Sequence, residues 1–199
     1  SPSRGLGDVY KRQILFMADD FMNPGHVSRL LPAMENDARI AVGYSPICWV
    51  DEQGRPLTGP LHPGHRQADY VGGRNEVADL LIYDNYITPS AAIIRREAFF
   101  QAWQRDIRIR GAGDWQLMVQ LGERFPDFVF TTTPGVSYRV HGTQHSNEFY
   151  GTSAPLEGHL CILEGVLERG GETLLKGRER EVAGHLRRRL GQYPQERDS

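Results

Sequence analysis

The sequence predicts an α/β fold with a helical hairpin appended at its C-terminal end. Three features of the 199-residue chain lead there. Short apolar or alternating runs of strand length recur at 14–17, 40–44, 47–50, 90–94, 128–131 and 136–141. Between several of them lie segments with apolar residues three and four apart, the period of a helix that packs by one face. From Ser153 the strand-like runs stop and leucines repeat at helical spacing.

Residues 14–17 (ILFM) are four apolar residues in a row, as in a strand covered on both faces. Asn23-Pro24 then reads as a helix start, with Asn at the N-cap and Pro at the first helical position. Val27, Leu30, Leu31 and Met34 give that helix its buried stripe. Ile40, Val42 and Tyr44 alternate as a strand, residues 47–50 continue extended, and Asp51-Glu52-Gln53-Gly54 is a turn. Residues 55–74 hold three Pro and four Gly with His62 and His65, and read as a long surface loop. Short helices are expected at 76–83 and 95–103, with a strand at 90–94 between them. Trp115, Met118, Val119 and Leu121 mark a further helix over 114–125, and Pro134-Gly135 separates the last two strands. In the C-terminal hairpin, Leu160, Leu163 and Leu167 precede Gly170-Gly171, and Val182, Leu186 and Leu190 follow it.

Composition narrows the function. Apolar residues make up 39% and charged ones 24%, which suits a globular core and not a disordered chain. With 23 basic and 25 acidic residues, no global field draws the chain to nucleic acid. No apolar run approaches the roughly 20 residues that span a bilayer. Cys48 and Cys161 read as two ordinary thiols of a reduced, cytoplasmic protein. Residues 1–13 (SPSRGLGDVYKRQ) lack the apolar stretch of a secretory signal and are expected to be a non-native or disordered leader.

The chemistry concentrates at three places. Asp19 and Asp20 end the first apolar run, where carboxylates suit a divalent cation, although Asp-Asp is also an ordinary turn signal. Asp114 heads a helix after a Gly-rich stretch (Arg110-Gly111-Ala112-Gly113), where it could act as a base or cap the helix. Arg139 and His141 close the last strand-like run: Arg139 could pair with a phosphate or a carboxylate, and His141 could bind a metal or a backbone carbonyl. His62 and His65 form too small a set for a metal site, and His145 is unassigned. Arg95-Arg96 reads as a solvated helix start.

These motifs in this order resemble the catalytic half of a family 2 glycosyltransferase of the GT-A fold, over roughly residues 14–146. Met17 stands where the acidic motif often begins with Asp, and Gly113 where Glu often precedes the base. The resemblance implies a partial GT-A catalytic domain over 14–150, a Rossmann-like mixed sheet with flanking helices, and a C-terminal helical appendage over 151–199. It implies an inverting transferase that moves a sugar from a nucleotide-sugar to the hydroxyl of a saccharide or lipid-linked acceptor, as in surface polysaccharide or glycolipid synthesis. Asp114 would be the catalytic base. Asp19, Asp20 and His141 would hold Mg²⁺ or Mn²⁺, and Trp115 and Arg139 would contact substrate. The family's opening strand, its Pro-x-x-Asn-like turn and its base-binding Asp have no counterpart upstream of Ile14. The nucleotide-binding lobe is therefore expected to be missing, and the fragment alone inactive.

Two other classes compete. A metal-dependent nucleotidyltransferase also places carboxylates at strand ends, but needs a Gly/Arg/Lys-rich phosphate loop, which is not visible. A non-catalytic interaction remnant is the other. Arg187-Arg188-Arg189, with Lys176, Arg178 and Arg180 nearby, would allow peripheral contact with the inner face of the plasma membrane. Glu172, Glu179 and Glu181 dilute that charge, so a solvated face is the favoured reading.

Overall fold

The computed structural model describes residues 11–144, 148–149 and 152–192. Among these it is a mixed α/β structure with two mixed sheets and seven helices. The elements run β1 (Arg12–Gln13), β2 (Phe21–Met22), α1 (His26–Asn36), β3 (Val42–Tyr44), β4 (Ile47–Val50), β5 (Tyr70–Val71) and α2 (Glu76–Ile82). A 3₁₀ turn (Pro89–Ala91) leads into β6 (Ala92–Arg95), α3 (Arg96–Ala102), α4 (Gly113–Arg124), β7 (Phe128–Phe130) and β8 (Val136–Arg139). Helices α5 (Ala154–Glu168), α6 (Glu172–Leu175) and α7 (Glu179–Gln192) complete the chain.

The larger sheet has the order β1-β6-β3-β7-β5, and only its β3–β7 pair is parallel. Strand alternation divides its side chains between two faces. Val42, Tyr44, Ala92, Ile94, Phe128 and Phe130 join the main core with α2, α3, α4 and the C-terminal helices. Ile93 and Val129 point the other way and meet Leu30 and Met34 of α1. The smaller sheet, β2-β8-β4, pairs β4 with β8 in parallel. That register sets Trp49 opposite Tyr138.

Three expectations are corrected. Residues 14–17 form no regular strand, and Leu15, Phe16 and Met17 are each about 40% exposed. Pairing instead occurs one step earlier: Arg12 and Gln13, assigned from the sequence to the leader, lie antiparallel to Arg95 and Ile94. Asn23 does not cap α1, whose N-cap is Gly25 in the left-handed region at φ 77°. The Asn23 side chain instead donates to the Pro134 carbonyl at 3.3 Å and accepts from the Ser137 hydroxyl at 2.9 Å. Gly135 allows this docking, because an added Cβ would lie 2.0 Å from His26 Nδ1. The C-terminal hairpin also contains a third helix, α6, between its two arms.

The basic residues of α7 do not form one free face. Arg189 is paired with Asp84, and Arg178, just before the helix, bridges Asp79 and Glu181. No helix among the described residues is long and apolar enough to cross a membrane. Both cysteines are free. Residues 1–10 and His145 lie outside the described residues.

Candidate active site

Asp19, Asp20 and Asp114 line one cleft of about 590 Å³, although about a hundred residues separate the pair from the third. One wall comes from β4 and β8, which present Ile47, Trp49 and Tyr138 on the same side. The opposite wall comes from Asn85, Thr88, Pro89 and the Gly111–Asp114 segment. An added Cβ at Gly113 would meet nothing within 4 Å, so the backbone there lies open to the cleft.

The acidic turn is closed by a hydrogen bond from the Asp20 amide to the Met17 carbonyl at 3.2 Å. Its two carboxylates differ. Asp20 is buried; it accepts from the Ser90 hydroxyl at 2.6 Å and from the Arg139 amide at 3.2 Å. Burial raises its pKa, against the lowering effect of those bonds. Asp19 is more exposed, and its Oδ2 lies 2.7 Å from His141 Nε2. That hydrogen bond is the main reason why its pKa is lowered.

Asp114 sits in the first turn of α4. It accepts from Asn85 Nδ2 at 2.9 Å and from the Trp115 amide at 2.9 Å. Loss of solvent raises its pKa, and these two bonds only partly offset that effect. A carboxylate with raised proton affinity at a cleft wall is suited to accept a proton.

Two residues expected to touch substrate are placed elsewhere. Trp115 is a core residue, 3% exposed. Its indole N–H donates to the Leu80 carbonyl at 3.1 Å, and its ring packs on His159. The helical period that carries Asp114 into the cleft turns the next side chain inward. Arg139 is not among the cleft-lining residues either. Its guanidinium donates to the carbonyls of Asp19 at 2.9 Å and Glu52 at 2.7 Å, with its centre 4.5 Å from the Phe21 ring centroid. Arg139 braces the acidic turn. Of the expected metal set, Asp19 and His141 are in contact, with Oδ2 and Nε2 2.7 Å apart, while the Asp20 oxygens accept from Ser90 and the Arg139 amide.

Aromatic groups do line the cleft, in the form of Trp49, Tyr138 and Phe149. Trp49 and Tyr138 meet edge to face with centroids 5.3 Å apart. Their i and i+2 alternation on β4 and β8 was the available sequence signal. Ser90 was also missed as a site residue. Fully buried, it accepts from the Met17 amide at 3.0 Å and donates to Asp20, so it clasps the acidic turn from both sides. Ser90→Ala is expected to destabilise the fold by about 1–3 kcal/mol by leaving a buried carboxylate oxygen unsatisfied. Chemical denaturation would measure this loss, and no change in midpoint would contradict the clasp.

No family model matches the chain, and no curated protein matches it.

Proposed function

We propose that this cleft transfers a sugar from a nucleotide-sugar to an acceptor hydroxyl with inversion, in the manner of the GT-A enzymes that the sequence resembles. One observation carries the reading: Asp114, a desolvated carboxylate with raised proton affinity, faces the same cleft as the acidic turn. The mixed sheet with helices on both faces is compatible with part of a GT-A domain. In this reading Asp114 takes the proton of the acceptor hydroxyl. The acceptor oxygen attacks the anomeric carbon from the face opposite the diphosphate, and the bond from that carbon to the diphosphate breaks.

Asp19, which lines the cleft, and His141, 2.7 Å from it, offer a carboxylate and an imidazole, a donor pair of a kind that suits Mn²⁺. A cation there would neutralise the departing diphosphate. Asp20 serves by holding the turn. Trp49 and Tyr138 supply apolar ring surface against which a sugar can pack. Adjoining the cleft at Asp114, a hollow of about 410 Å³ is lined by Leu15, Phe99, Trp103, Ile109 and Leu117 together with Arg105, Asp106 and Gln116. The apolar part of that lining suits a lipid-linked acceptor, which would bring the protein to a membrane surface.

The test incubates the protein with UDP- and GDP-sugars, Mn²⁺ and lipid-linked acceptors. The expected result is release of nucleoside diphosphate and a product of inverted anomeric configuration by NMR. Release of pyrophosphate would identify a nucleotidyltransferase instead. A retained configuration, or no turnover with any donor, would also overturn the proposal.

A further inference from the structure

Behind the cleft wall, Asp84, His159 and His185 converge from the end of α2, from α5 and from α7. One ligand atom from each lies within 4.8 Å of the others, the only such group of three among the described residues. His185 Nε2 is 3.0 Å from Asp84 Oδ1, and His159 Nδ1 is 3.9 Å from the same oxygen. His159 is fully buried, and neither ring nitrogen makes a hydrogen bond of good geometry, although the Leu81 backbone lies close enough to act on the ring. A buried imidazole normally donates through one nitrogen and accepts through the other, so at least one is left unmet, which is destabilising. Asp84 holds a positive φ of 63°, the only non-glycine residue described that does so. Such backbone conformations concentrate at functional sites.

We propose that Asp84, His159 and His185 form a Zn²⁺ site that ties the two long C-terminal helices to the end of α2. Two imidazoles and a carboxylate are a common zinc donor set, and the half-exposed Asp84 leaves the fourth position open to water. Tetrahedral ligands at about 2.0–2.1 Å from zinc lie roughly 3.3 Å apart, so His185 and Asp84, 3.0 Å apart, are already near ligand spacing, and His159, 3.9 Å from Asp84, must draw in by about half an ångström. The cation now beside Asp84 is Arg189, whose Nη1 contacts Oδ1 while its guanidinium lies 5.9 Å over the Trp115 ring. Zinc would displace that guanidinium, so Arg189 competes with the metal. The site is close to the cleft, because Asp84 precedes Asn85, which donates to Asp114. The proposal does not depend on the transferase reading.

The test is titration of the untagged, chelator-treated chain with Zn²⁺ followed by calorimetry and thermal melting, and with Co²⁺ followed by visible absorption. One equivalent of Zn²⁺ is expected to bind and raise Tm, and Co²⁺ to give the intense bands of a four-coordinate ion. His159→Ala and His185→Ala should abolish the Co²⁺ bands. Asp84→Asn, which preserves shape, should weaken Zn²⁺ binding by roughly 10- to 100-fold or more, since loss of even an outer partner of a ligand has that effect. Arg189→Gln should tighten binding by removing the competitor, a result that a purely structural ion cluster would not give. Absence of Co²⁺ bands in the parent chain, or bands unchanged in Asp84→Asn and Arg189→Gln, would overturn the proposal.

Discussion

Asp114→Asn is expected to lower turnover by about 10²- to 10⁴-fold, the usual loss when a general base is removed. Affinity for the nucleotide-sugar should stay unchanged, because in the proposed reaction Asp114 acts on the acceptor's proton. Stability should hold or rise at neutral pH. The Asp114 carboxyl has a pKa raised by burial. Its favourable contribution is therefore complete below the ordinary value of 3.8 and is lost as pH rises through the raised one. At pH 7 the ionised group opposes folding, whereas Asn carries no charge; its single oxygen keeps one of the two bonds, since Asn85 and Trp115 donate to different oxygens of Asp114. By the same reasoning the rate should climb as pH passes the raised pKa from below. Asp19→Ala should behave differently, weakening Mn²⁺-dependent donor binding together with rate. The measurements are initial rates against pH, donor binding by calorimetry, and Tm. Equal loss of donor affinity in both variants would place Asp114 on the donor side, and a fall in Tm parallel to rate would make it structural.

The helices were largely legible because their apolar spacing is local. Leu30 and Met34 of α1, and Met118, Val119 and Leu121 of α4, are buried at the positions that their period indicates. The alternation at Val42 and Tyr44 likewise identified β3, whose larger side chains share one face. What failed depended on distant partners. Four apolar residues at 14–17 read alike whether covered or open, and pairing at Arg12 and Gln13 is set by β6, some eighty residues away. Asn23 had the local signature of a cap, but a long-range bond to the Pro134–Ser137 turn took its side chain. The site was half legible for the same reason. Carboxylate positions at segment ends can be read from the sequence, but the facing of Trp115 and Arg139 depends on how α4 and β8 are rotated in the fold. Asp84, His159 and His185 could not be found by spacing, since three separate elements bring them together.

The largest effect on stability is expected at Arg66, which is buried with its carboxylate partners under the end of the larger sheet. Its Nη2 lies 2.8 Å from Glu76 Oε2 and 2.8 Å from Asp79 Oδ2, with all three side chains mostly shielded from water. The hydroxyls of Tyr44, Tyr70 and Tyr86 also donate to Glu76, so one guanidinium organises two acids and three phenols. Arg66→Met should destabilise the protein by about 3–5 kcal/mol, because Glu76 loses its one ion-pair partner among the described residues in a place where water cannot replace it. For a chain of this size that corresponds to a fall in Tm of roughly 10 °C. Arg178→Met should do much less, about 1 kcal/mol or under, since that bridge to Asp79 is partly solvated. The double variant Arg66→Met/Glu76→Gln should recover part of the loss, because neutralising the acid removes the charge that the arginine balanced. Helix α2 begins at Glu76 and ends just before Asp84 and Asn85, so a loosened network should also disturb the residue that donates to Asp114. Urea unfolding of the parent chain, Arg66→Met, Glu76→Gln and the double variant would measure the cycle, with Arg178→Met as the control. An Arg66→Met loss below about 1 kcal/mol, or a double variant weaker than Arg66→Met alone, would show that the phenols and not the guanidinium satisfy Glu76.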